Sequence, residues 1–252
     1  MDIDSLVLSQ FETDTNCVPG TSGKININKR KRLDGSRYFA DISDFLRVIL
    51  YKGRLFMMCD ESIYDWAVER YTDTLPEWFC KFDNLRILDE KLREYGHEIM
   101  DTHVYFMPDP EFEGYDFECP YHIKELGREE IDRMKDENPF RHALMYQEGC
   151  PDVMAIGAFD ENDEPVAMAG VSSDGMNLWQ VGIDVLPEYE HRGLAVYLTT
   201  LMKEAVIKRG KVPFYGTSES HSLSRRVAVR SGFVPGWCEV YSRKVDKEAD
   251  NK

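Results

Sequence analysis

The residue run best suited to chemistry is Gly182-Ile-Asp-Val-Leu-Pro-Glu-Tyr-Glu-His-Arg-Gly-Leu-Ala195. Its grammar is a strand broken by Pro187, a tight turn, and the start of an apolar helix. Amides in the first turn of a helix lack intrahelical acceptors and point outward. With the helix dipole they form an anion site, each charge there worth about 0.3–1 kcal/mol. Gly193 has no Cβ, so a phosphate can approach the main chain. Ala195 keeps the next turn small, and Arg192 can add a cation. Other phosphate loops fit poorly. Gly20-Thr-Ser-Gly23-Lys24 has two residues between its glycines, not four, and Ile25 follows the lysine. No GxGxxG run occurs.

The elements around this run are legible. Leu194, Tyr197, Leu198, Leu201, Met202, Ala205 and Val206 recur at helical spacing up to Gly210. Upstream, the pattern predicts strands at 152–159, 165–171 and 177–185, joined by short turns as an antiparallel meander. A strand at 121–126 and one or two helices over 127–145, broken near Pro139, precede it. After the long helix come a strand at 212–216, a helix at 222–231 and a strand at 237–243. The strand–helix–strand crossover makes 212–216 parallel to the strand ending at Val185.

The first 117 residues read less clearly. Residues 1–36 are polar and expected to be irregular, and Lys29-Arg-Lys-Arg32 is expected to be a solvated loop or hairpin face. Residues 45–58 predict two strands or a helix end and a strand, 62–71 and 85–95 helices, 103–107 a strand. Phe56, Trp66, Trp78, Phe79, Phe82 and Tyr95 are expected in the core, or else in a lid over an acceptor site. Met107 to Tyr115, with two prolines and a glycine, marks a linker. The expected division is a smaller N-terminal α/β domain (1–117) and a second domain (118–252).

Composition narrows the function classes. Among 252 residues, 46 are acidic and 31 basic, a net charge of −15. That excludes a dense cationic face for nucleic acid and favours solubility or a cationic substrate. No apolar run reaches the length needed to span a bilayer, so no membrane partner is expected. Six cysteines without a CxxC pair predict reduced thiols and a cytoplasmic location. Cys119 and His122 have ligand spacing but no second pair, so no metal site is expected.

With these motifs in hand, residues 118–246 resemble a GNAT-type N-acetyltransferase domain. Val185-x-Pro187-x-Tyr189 and His191-Arg-Gly-Leu-Ala195 resemble that family's central motif, and Ser224 with Ser231-Gly-Phe233 resembles its later helix. The resemblance implies an α/β (α+β) fold with a mixed, mostly antiparallel sheet flanked by helices. It implies acetyl-CoA as co-substrate, with Ile183, Asp184 and Val185 along the pantetheine arm. The amides from Glu190 through His191, Arg192, Gly193 and Leu194 to Ala195 would hold the pyrophosphate, and Ser224 would contact the arm. Two departures stand out: Glu190 replaces a Gln or Arg, and Ala228 occupies the place of a tyrosine acid.

The implied reaction moves an acetyl group to a primary amine, a small or medium cationic acceptor. An alkylamine with a pKa of about 10.4 is neutral in about one molecule in 2,500 at pH 7, so a base is needed. Glu219 is the favoured base, with His221 and Asp184 as alternatives, and Tyr241 or Cys238 as acid. Each has a structural reading too: helix capping for Glu219 and His221, strand support for Asp184, packing for Tyr241 and Cys238. Two other functions stay open, a non-catalytic acyl-CoA sensor and a protein or peptide amine acetyltransferase. So does oligomeric state, a homodimer included.

Overall fold

The computed structural model describes residues 1–38 and 43–245; the end of the expected second domain, 246–252, lies outside them. In chain order the helices are α1 (Ile3–Asp14), α2 (Glu61–Tyr71), α3 (Phe82–Arg93), α4 (Arg128–Met134), α5 (Leu194–Lys208) and α6 (Ser222–Arg230). The strands are β1 (Ile25–Lys29), β2 (Ser43–Tyr51), β3 (Arg54–Cys59), β4 (His97–Pro108), β5 (His122–Gly127), β6 (Asp152–Phe159), β7 (Pro165–Ser172), β8 (Leu178–Val185), β9 (Val212–Gly216) and β10 (Phe233–Lys244). The class is mixed α/β, with mostly antiparallel strand pairs flanked by helices. No helix among the described residues is long and apolar enough to cross a membrane.

Two compact units emerge, neither a single stretch of chain. Among the described residues, one comprises Met1–Val7 and Tyr105–Gly236, the other 8–38, 43–104 and 237–245. In the first, the strand order is β4-β9-β8-β7-β6-β5, antiparallel except for the parallel β8–β9 pair. Helix α5 packs on β6, β7 and β8 through Leu194, Leu198, Met202 and Val206. A further buried cluster joins Leu126, Ile131, Phe140, Ala143, Leu144, Ala155, Phe159 and Met168. Continuous apolar runs, buried on both faces, drive β6, β7 and β9, and the 3.6-residue period drives α5.

In the second unit, β1 pairs β3 in parallel, while β2 pairs β3 and β10 antiparallel. Helices α2 and α3 contribute Ile63, Ala67, Tyr71, Leu88 and Leu92 to its core. Residues 1–36 are irregular only in part. They form α1 and β1, and α1 is disguised because its buried face carries polar Gln10 and Asp14. Arg37, fully buried, explains them: its Nε lies 2.5 Å from Asp14 Oδ2 and a terminal nitrogen 2.6 Å from Glu239. Gln10 donates to Asp14 at 2.9 Å. Phe56 and Phe79 are core residues, whereas Trp78, Phe82 and Tyr95 are exposed. The basic run is solvated and paired in part, Lys29 with Glu61 and Arg30 with Asp60.

Candidate active site

The site begins where a sheet opens. Strands β8 and β9 are in register from Leu178↔Val212 to Val181↔Tyr215, and there the pairing ends. Strand β8 continues to Val185, still paired with β7 as far as Ala167↔Val185. Gly182 to Val185 therefore have a strand partner on one side only. A strand edge of this kind presents donors and acceptors to whatever lies beside it.

The loop 138–147 covers one face of this opening. A Cβ on Gly182 would lie 1.9 Å from the His142 carbonyl oxygen, and one on Gly170 1.9 Å from that of Ala143. Only glycine permits such an approach. Asp184 Oδ2 accepts from the amides of His142 at 2.7 Å and Ala143 at 2.9 Å. Asp152 accepts from the Tyr146 amide at 2.7 Å, its own pKa raised by burial. Of the one or two helices expected over 127–145, one forms, α4. Beyond a short 3-10 turn, Pro139 and the Asn138 side chain, bonded to Phe140 and Leu144, fold the chain into this loop.

The turn into α5 closes one end. His191 has φ +61° and Gly193, the N-cap, has φ +85°, with no side-chain cap. Among the described residues, the amides of 191–196 have no acceptor. Gly193 is also required by packing, since a Cβ there would lie 2.8 Å from a Phe117 ring carbon. These pieces enclose a cavity of about 670 Å³ between the β8 edge, the α5 turn, the end of β9 and α6. The Tyr215 hydroxyl lies 2.8 Å from Ser224 Oγ in its wall, and burial raises the Tyr215 pKa. Arg226 and Arg230 line the α6 side.

Of the residues expected at the site, Ile183, Asp184, Val185, Glu190, His191, Gly193, Leu194, Ala195, His221 and Ser224 line the cavity. Three do not. Arg192 faces away, donating to Tyr121 at 3.1 Å and to the Glu188 carbonyl at 2.8 Å. Glu219 is exposed on the Ser218–His221 turn, outside the wall. Tyr241 belongs to the other compact unit, buried in β10 opposite Arg47. Cys238 is half-buried in the same strand. Asp184 spends one carboxylate oxygen on the loop amides, which is a strand-supporting role. Ala228 is buried and does not line the cavity. His142, Met145 and Tyr215 line it without having been singled out from sequence. For Tyr215 a signal existed, a polar aromatic one residue from the strand end. For His142 there was none, because its contact with Asp184 spans 42 residues. No cluster of metal-ligating side chains occurs among the described residues, Cys119 and His122 included.

No family model and no curated protein matches the chain. Solved structures are similar to it. A GCN5-related N-acetyltransferase from Kribbella flavida is 17% identical over 65% of this chain and 66% of its own, with a TM-score of 0.46. A GCN5-related N-acetyltransferase-like protein from Streptococcus suis 89/1591 is 12% identical over 96% and 99%, also at 0.46. An acetyltransferase from the GNAT family of Colwellia psychrerythraea is 11% identical over 59% and 57%, at 0.40. Acetyltransferases of one family thus recur among these structures, at identities and TM-scores that carry no residue's role across.

Proposed function

We propose that the cavity binds acetyl-CoA and that the chain passes its acetyl group to a primary amine by direct attack on the thioester. The observation that carries this reading is the uncapped start of α5, whose free amides open onto a cavity running along the half-paired edge of β8. A diphosphate satisfies such amides, and an extended amide-bearing arm satisfies such an edge. The volume suits one medium-sized ligand. Arg226 and Arg230 favour the anionic end of the cofactor.

On this reading the main chain of His191 to Val196 holds the diphosphate, and Ile183 to Val185 hold the arm. The acetyl group lies near Val181 and Tyr215, where the two strands part. Nitrogen attack makes an oxyanion, which a free strand amide stabilises. The carbon–sulfur bond then breaks. Tyr215, its pKa raised by burial and its hydroxyl bonded to Ser224, supplies a hydroxyl of the cavity wall for the departing thiolate. All these residues fall within 118–252, the segment to which we assign the transfer. The acceptor is a small or medium amine.

A non-catalytic acyl-CoA sensor is the second reading. It is favoured by the Glu190 carboxylate at the turn and by buried Ala228, which offers no acid. Calorimetry with acetyl-CoA, followed by thiol release across an amine panel, separates the two. Binding with turnover supports transfer, binding alone supports the sensor, and no binding sinks both.

A further inference from the structure

We propose that His142 is the base that takes the proton from the attacking amine. The assignment rests on the acetyl-transfer reading and goes beyond it by setting His142, on the loop against Gly182, ahead of His221, which also lines the cavity but stands at the N-cap of α6. Glu219 stands outside the cavity, and Asp184 is committed to two main-chain amides. Tyr215 carries its proton at neutral pH as tyrosine ordinarily does, and burial raises its pKa further.

His142 is placed by an unusually constrained loop. Its amide and that of Ala143 are held by Asp184, and its carbonyl seats on Gly182. Phe140, Ala143 and Leu144 are buried on the underside, so they anchor the segment. His142 itself stays exposed on the cavity side. Gly182 is the first residue of β8 beyond the last β8–β9 pair. The main chain of His142 is thus held beside the strand parting, and the residue lines the cavity where the thioester lies on the proposed reading. Packing alone accounts for the anchors but not for a solvent-facing histidine between them. Imidazole exchanges protons near neutral pH, which suits this task.

The balance of the step is simple. The ammonium gives one proton to the imidazole, the freed lone pair forms the carbon–nitrogen bond and leaves an oxyanion, and the carbon–sulfur bond breaks as the oxyanion collapses. The second ammonium proton is lost from nitrogen as the amide forms, and the thiolate takes one proton. The imidazolium releases its proton to water. Other titratable groups bear on this histidine. Asp184 of β8 and Asp152 of β6 hold its loop, and Arg141 precedes it. Tyr215, His221, Glu190, His191, Arg226 and Arg230 share the cavity wall.

The test uses the full chain and His142→Gln, with circular dichroism and melting temperature to establish folding. With a strongly basic alkylamine at pH 7, kcat should fall about 100-fold, with KM for acetyl-CoA unchanged. The loss should shrink at pH 10 and with an arylamine of pKa about 5, which arrives already neutral. Added imidazole should restore part of the rate of His142→Ala. An equal loss for both amines at every pH, or no loss, overturns the assignment alone. A wild-type chain that binds acetyl-CoA but turns over no amine overturns it together with the transfer reading, and so does a chain that does not bind.

Discussion

The starts of α2 and α5 show one physical problem met in two ways. At α2, Asp60 accepts from the Ser62 amide at 3.1 Å and the Ser62 hydroxyl at 2.8 Å, and Arg30 stands 3.3 Å away. The amide bond holds the Asp60 carboxyl below its ordinary value. At α5 the equivalent place is Gly193, and no side chain reaches the amides behind it. Glycine at an N-cap costs only about a few tenths of a kcal/mol, and α3 and α6 also start without a side-chain cap, so what sets α5 apart is the cavity beside its first turn. The same contrast holds for cations. Arg37 is buried against Asp14 and Glu239, whereas Arg226 is exposed at the cavity wall. At Asp60 and Arg37 the polar groups find partners within the fold, whereas the first amides of α5 and Arg226 face the cavity.

The comparison breaks most visibly at the buried cation. Arg37→Leu strands two buried carboxylates and should cost about 3–5 kcal/mol, read as a drop in the urea midpoint. An unchanged midpoint would mean that the network is not buried as described. Next, Gly193→Val should weaken acetyl-CoA binding at least about 100-fold by calorimetry, about 2.7 kcal/mol. A side chain there meets a positive φ and the Phe117 ring, and it displaces the amides from the ligand. Retained affinity would move the anion site elsewhere.

Asp60→Ala should cost about 1 kcal/mol in urea unfolding and leave acetyl-CoA affinity as it was. The smallest effect is its pH dependence. Because the folded-state pKa of Asp60 is lowered, its contribution is present above the unfolded value near 3.9. It is lost as the pH falls through the folded value. Wild type and Asp60→Ala should therefore converge in stability in acid, and a gap that persists below both values would contradict the capping role.

Much of this was readable before any coordinates. The meander and β9 follow from short apolar runs bounded by turn residues, and α5 from its 3.6-residue period. The parallel β8–β9 pair follows from crossover handedness. Helix α1 escaped because its inward face is partly polar, and the sense of Gln10 and Asp14 appears only with Arg37 beside them. Arg192 has the right type and spacing for an anion ligand, yet Tyr121, 71 residues away, draws it off. Glu219 and Tyr241 were candidates by position along the chain, and position cannot reveal which wall a side chain joins. The loop of His142 depends on two glycines and one aspartate far downstream, a dependence that no local pattern carries.

The central claim is that the main-chain amides from His191 to Val196 grip a diphosphate. Amide resonances of the isotopically labelled full chain, followed during titration with CoA, address it directly. The account expects large saturable shifts at 191–196 and along 182–185, and none at Ser62. CoA that leaves 191–196 unmoved, or that perturbs only residues elsewhere, would contradict it.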